Sequence, residues 1–298
     1  MKLVNFIVIG AVKSGTSSVY SYLKEHPQVY MSSIKEPKFF QWDGENRRFS
    51  TKLDDKIYQN AIKTFDEYKA LFSEVKDETA IGEASVSYLY NKEAPGRMHR
   101  RFPDLKLIAI LRHPADRAFS HYLHTKWLGH EPLSFSEALA QENQRIEANW
   151  GPSWHYRKQG FYYEQINRYK SLFDESQFKI YLYDDLGKDS LNVMQNMYQY
   201  LGIDTTFIPD ISKQYNVRSF PKNQILDQII NKPNVFKDKL KNLLPNDWRK
   251  NWVTSMKRKN SWKPKLDPQL RQELTEGYKE DIIKLQDLID KDLSLWIS

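Results

Sequence analysis

Residues 4–23, VNFIVIGAVKSGTSSVYSYL, decide the fold of this chain. An apolar run of strand type stops at Gly10, and Lys13-Ser14-Gly15-Thr16-Ser17 then feeds directly into a helical pattern. A strand that delivers a glycine-containing turn onto a helix N-terminus points free backbone N–H groups at one spot. There the positive end of the helix dipole adds to their pull on an anion. Lys13 supplies a full charge. The expectation is a phosphate-holding turn; the alternative is an ordinary Gly/Ser connection with Lys13 solvated.

The spacing resembles a Walker A loop with one departure. G-x-x-x-x-G-K-[ST] places lysine after the second glycine, where Thr16 stands here, and the lysine of this chain precedes that glycine. The strand, the lysine inside the turn and the GTS ending resemble the 5′-phosphosulfate loop of sulfotransferases that use 3′-phosphoadenosine 5′-phosphosulfate (PAPS), most closely the heparan sulfate and bacterial carbohydrate branches. That resemblance implies an α/β fold with a P-loop-like central parallel sheet flanked by helices on both faces. It also implies release of adenosine 3′,5′-bisphosphate, and assigns cofactor contacts to Lys13, Ser14, Gly15, Thr16 and Ser17.

Residues 106–112, KLIAILR, read as a buried parallel strand ending in an arginine, with Pro114 suited to the first position of the next helix. Arg117, Ser120 and His124 then fall on one helical face. The string LRHPADRAFSHY resembles the family's 3′-phosphate motif, which implies that Arg112 and Ser120 hold that phosphate. A planar guanidinium makes paired charged bonds to phosphate, and a hydroxyl adds a neutral donor. Arg117 either joins them or is a solvated helix charge.

The family resemblance extends to four further places. In IKEPKFF (residues 34–40), Glu36 stands where a family glutamate takes the acceptor proton, and it is the first candidate for the general base. In IGEAS (residues 81–85), Glu83 is the second candidate, placed at a strand end where open α/β sheets gather binding groups. Heparan-type enzymes have a lysine after this glutamate, but this chain has Ala84; Lys38 is the nearest substitute. In KRKNS (residues 257–261), Lys259 aligns with a lysine of the loop that covers the 3′-phosphate, although the accompanying glycine and arginine are replaced. Tyr183 resembles a tyrosine near the adenine, with a core position as the competing reading.

Composition frames these motifs. The 45 basic and 38 acidic residues leave a net charge of +7, which favours an anionic ligand, while the absence of long basic runs argues against nucleic acid. No cysteine is present, so disulfides and thiolate metal sites are excluded and a reducing, cytoplasmic compartment is expected. The first strand is too short for a signal peptide, and no apolar run reaches the length of a membrane span. Histidines show neither metal nor triad spacing, so no metal is expected, and His113, His121 and His124 are assigned to the helix surface.

Strand and helix signals alternate along the chain as in βαβ units, without repeats or linkers, which suggests one domain over residues 1–298. A final helix is expected after Asp267 and Pro268. Eight tryptophans and 18 tyrosines are many for a core. Trp127, Trp150, Trp154, Tyr156, Phe161, Tyr162 and Tyr163 form either a sugar-stacking cleft or a packed aromatic layer. The expected acceptor is a hydroxyl group, on a carbohydrate. Two alternatives remain: a P-loop kinase or NTPase, and a non-catalytic protein that binds glycans or polyanions.

Overall fold

A computed structural model describes residues 2–212, 220–221, 261–262 and 264–297. Five strands, β1 (Phe6–Gly10), β2 (Val29–Met31), β3 (Ala80–Ala84), β4 (Lys106–Leu111) and β5 (Phe178–Leu182), form a sheet of order β2-β3-β1-β4-β5. All neighbours pair in parallel, with Phe6 opposite Gly82 on one side of β1 and opposite Lys106 on the other. Every residue of β1 and β3 is buried, so both faces are covered, as parallel sheets require. On one face Phe6, Val8, Ile108 and Ile110 pack against Val19, Leu23, Met194 and Met197. Their alternates Ile7, Ile9, Leu107, Ala109 and Leu111 are no more than 1% exposed on the other. Gly82 has no side chain because the Phe6 ring fills that space; a Cβ there would lie 2.1 Å from its Cζ.

The helices follow in chain order: α1 (Thr16–Glu25), α2 (Phe39–Trp42), α3 (Lys52–Gln59), α4 (Phe65–Ala70), α5 (Ala94–Arg101), α6 (Pro114–Trp127), α7 (Phe135–Ala140), α8 (Glu142–Glu147), α9 (Tyr162–Lys170), α10 (Tyr183–Lys188), α11 (Ser190–Leu201), α12 (Pro268–Ile289) and α13 (Ser294–Ile297). Pro114 does open α6, and Gly202, with φ 78°, closes α11 in the left-handed conformation that glycine adopts without penalty. Asp267 caps α12, its side chain accepting from the amide of Leu270 at 3.0 Å. Residues 113–173 hold four α-helices, with a capping box at Ser134 opening α7.

The long C-terminal helix α12 lies against α9 and α6. Asp281 accepts from the amides of Tyr162 and Tyr163, capping α9 from another element, and Arg271 pairs with Asp116 of α6 at 3.2 Å. The chain separates into two compact units, Met1–Asn216 with Asp267–Ser298, and Val217–Leu266. Within the smaller one, β6 (Phe220–Pro221) pairs antiparallel with β7 (Ser261–Trp262). All the described site residues below lie in the larger unit. No described helix is long and apolar enough to cross a membrane.

Candidate active site

Because β1 leads to β2 and β3 on one side while β4 and β5 lie on the other, the strand order reverses around β1. Open α/β sheets leave a crevice at such a point, beyond the strand C-termini. The turn from β1 to α1 occupies it. Gly15 is the N-cap of α1 with φ 83°, and a Cβ there would press within 3.0 Å of Leu186 and 3.1 Å of Tyr183. No acidic residue lies in the first turn of α1, and no side chain caps it. No described residue accepts from the amides of Gly15, Thr16 and Ser17, so three adjacent donors remain for an anion. Ser14 is fully buried with its amide on the Ala11 carbonyl at 3.3 Å, so it shapes the turn.

Arg112, at the end of β4, donates from Nη1 to the Lys13 carbonyl at 3.1 Å. Its guanidinium lies 4.6 Å from the centre of the Tyr183 ring, which also borders Gly15. Tyr183 thus opens α10 at the crevice, half-buried and packed against the edge of the core. Ser120 is half-buried on α6, and no described bond joins it to Arg112. Its neighbour His121 feels the positive charges of Lys13, Arg117 and His124, which together with burial, the leading cause, hold its ring neutral. Lys259 lies outside the described residues.

Two surface assignments are corrected here: His113 and His121 are both less than 7% exposed. Of the two readings of Arg117 the solvated one falls, because the residue is fully buried and donates from Nη2 to the Tyr156 carbonyl. The helix that carries them is wrapped by the chain around Tyr156 and by α12, which its short hydrophobic period does not reveal.

On the other side of the crevice, the chain leaving β2 continues beside β3: the Ser32 amide donates to Gly82 and the Glu36 amide to Ala84, both at 2.9 Å. Glu36 and Lys38 adopt φ of 62° and 58°, and Lys13 adopts 69°. These are three of only five described non-glycine residues with positive φ. Such conformations cost of order 1–3 kcal/mol each and persist where surrounding contacts impose them. Lys35 bridges the two sides, its Nζ donating to Ser17 Oγ at 2.5 Å. The Ser17 hydroxyl, at the Walker metal-binding position, is therefore held by an ammonium group.

Glu36 Oε2 lies 2.7 Å from Lys38 Nζ, and the side chain is 30% exposed. Burial raises its pKa, but Lys38, Lys35 and His124 outweigh that, so the carboxyl sits below the ordinary glutamate value and is ionised at neutral pH. Glu83 has the opposite state. Fully buried at the end of β3, it sits among the hydroxyls of Ser85, Tyr88 and Tyr68. Desolvation pushes its pKa up to about 8, although the hydrogen-bonding influence of Ser85 and Tyr88 works the other way. Glu83 is a neutral acid near pH 7, and Glu36 is the half-buried, ionised carboxylate.

The aromatic cluster divides. Trp154, Tyr156 and Tyr162 are packed in the interior, with Arg145 stacked on Trp150 and Trp154 and paired to Glu131 at 2.6 Å. Phe161 and Tyr163 instead border an open cleft. Lys35 is the residue that sequence spacing did not single out, since its role depends on a contact with the distant Ser17. No group of three or more metal-binding side chains occurs among the described residues.

Residues 5–207 match the profile of the Sulfotransferase family, and the chain belongs to that family. A crystal structure of a sulfotransferase from Alicyclobacillus acidocaldarius shares 32% identity with a TM-score of 0.80, each chain covered completely. The mouse bifunctional heparan sulfate N-deacetylase/N-sulfotransferase 4 is 28% identical over 216 residues, covering 67% of this chain and 22% of that protein. The human heparan sulfate glucosamine 3-O-sulfotransferase 6 is 27% identical over 201 residues, 66% of this chain and 52% of its own length. The chain thus spans about a fifth to a half of these relatives. The expected parallel α/β sheet is the one observed.

Proposed function

We propose that residues 1–298 act as one sulfotransferase domain that moves a sulfuryl group from PAPS to a hydroxyl of a carbohydrate. The observation that carries this reading is the Lys35–Ser17 bond, which pins the segment holding an ionised carboxylate against the turn built for an anion. The site suits the donor. Three unclaimed amides, Lys13 and Arg112 offer cationic and N–H groups to phosphate, and Gly15 keeps the turn open beside Tyr183. When bound, PAPS supplies an activated sulfuryl group for in-line transfer.

The chain supplies positioning and charge. Glu36 removes the acceptor proton, and Lys13 opposes the negative charge that develops on the departing phosphate oxygen. Arg112 and Ser120 would hold the 3′-phosphate, and Thr16 and Ser17 the 5′-phosphate; the family resemblance adds Lys259 to the 3′-phosphate contacts. The kinase alternative is disfavoured because β4 ends in Arg112 rather than a magnesium-binding acid. The lack of cysteine favours a cytoplasmic setting.

Incubation with radiolabelled PAPS and separate pools of glycans, lipids and phenols tests the assignment. Label should enter the glycan pool as adenosine 3′,5′-bisphosphate accumulates. ATP hydrolysis with an absolute magnesium requirement, and no sulfuryl transfer, would refute it.

A further inference from the structure

A cleft of about 1110 Å³ borders Gln41, Ser87 and Tyr90 on one side, Phe161 and Tyr163 on another, and Glu276 to Lys284 of α12 beyond. It is larger than the roughly 300–1,000 Å³ usual for a small-molecule site, so it has room for an oligomer. A hydrogen-bonded chain connects it to the candidate base. Glu36 contacts Lys38 Nζ at 2.7 Å, Lys38 Nζ donates to Ser87 Oγ at 3.3 Å, and Ser87 Oγ donates to Gln41 Oε1 at 2.6 Å. The Gln41 carbonyl oxygen being so used, its NH2 has no acceptor among the described residues and borders the cleft.

The charge of the lining narrows the occupant. Six cationic side chains border the cleft, but Arg47 is paired with Glu45 and Lys279 with Glu276. Five acidic residues accompany them, including Glu93, Glu164, Glu280 and Asp281. The wall is almost neutral, although the whole chain carries +7. A polyanion laid here would face the carboxylates of Glu93, Glu164 and Glu280 as well as the cations, and like charges brought together cost affinity. Tyr90 and Tyr163 offer ring surface with a polar tip, and Tyr90 is held in place by His155 Nδ1 at 3.0 Å.

We infer that this cleft is the acceptor site and that it takes an uncharged, hydroxyl-rich oligosaccharide rather than an acidic one. The inference rests on the sulfotransferase reading and goes beyond it, since the heparan sulfate relatives are named for an acidic glycan.

Calorimetry on the full chain saturated with adenosine 3′,5′-bisphosphate tests it, using a neutral β-glucan oligosaccharide and polygalacturonate as probes. The neutral probe should bind with affinity that changes little between about 50 and 200 mM salt. Tyr163→Ala should weaken it about 10-fold or more while leaving the bisphosphate affinity unchanged. Glu164→Lys combined with Glu280→Lys should increase polygalacturonate affinity about 10-fold, with a steep salt dependence. Tighter binding of polygalacturonate than of the neutral probe by the unmutated chain would overturn the inference, as would unchanged sugar affinity in Tyr163→Ala. Neither result would touch the sulfotransferase reading, whereas absence of bisphosphate binding would remove both.

Discussion

At the β1–α1 turn, consecutive amides without described acceptors gather at the end of a helix. Across the crevice the charges sit on side chains, Glu36 and Lys38, delivered by a segment that hangs on the edge of β3. The first arrangement is local: residues 10–17 contain nearly all of it. The second needs Lys35 on Ser17, Lys38 on Ser87 and His124 from α6, so its charge state depends on contacts across some 90 positions. Glu36 and Glu83 show the consequence. Two glutamates beside the same strand end differ in ionisation because ammonium neighbours outweigh burial at Glu36, whereas at Glu83 desolvation dominates and the Glu36 charge adds to it.

The largest effects should come from removing one member of each side. Lys13→Ala and Glu36→Gln should each lower turnover about 100-fold or more. Calorimetry should find PAPS affinity unchanged in Glu36→Gln. A fully active Glu36→Gln beside a dead Glu83→Gln would exchange their roles.

Next in size is the 3′-phosphate contact. PAPS should bind about 100-fold more tightly than adenosine 5′-phosphosulfate, and Arg112→Ala should erase most of that preference. The two losses should be non-additive in a calorimetric cycle. Equal binding of both ligands by the unmutated chain would mean that Arg112 serves only the turn.

The pH dependence separates the two carboxyls without mutation. With Glu36 as base, the profile of kcat/KM should be flat from about pH 6 to 8, because its ionisation lies below the ordinary glutamate value. A rise through about pH 8 would point to Glu83.

Stability carries the complementary sign. A carboxyl whose folded pKa is raised favours the fold fully below its unfolded pKa, and that contribution is lost as pH rises through about 8. Glu83→Gln should therefore melt higher than the unmutated chain at pH 8.5, by about 2–4 °C for each kcal/mol recovered, and show no such gain near pH 4. Thorough chelation should have the smallest effect, leaving turnover unchanged.

The sheet was legible because β1 and KLIAILR are continuous apolar runs with glycine or arginine at their ends. The turn was legible because its chemistry follows the backbone through adjacent residues. Arg117 was not: an arginine on an amphipathic helix reads as exposed until the segment around Tyr156 is known to cover it. Trp154 and Tyr156 were equally ambiguous, since a packed aromatic layer and a sugar platform have the same composition. The spatial neighbour of Ala84 was partly readable, because Lys38 lies close in the IKEPKFF motif. Its amide does bond Ser85 Oγ, at 3.1 Å.

The left-handed backbone at Lys13, Glu36 and Lys38 also bears on how such a site can change over generations. Glycine is the residue that these conformations favour, and a left-handed non-glycine residue costs about 1–2 kcal/mol. Drift towards glycine would therefore relax the chain at the very positions where it discards the charges the proposed reaction calls for. A lineage released from the need to turn over substrate has a downhill route to a sturdier, inert binder. Sequences in which all three positions have become glycine would bear the mark of that history.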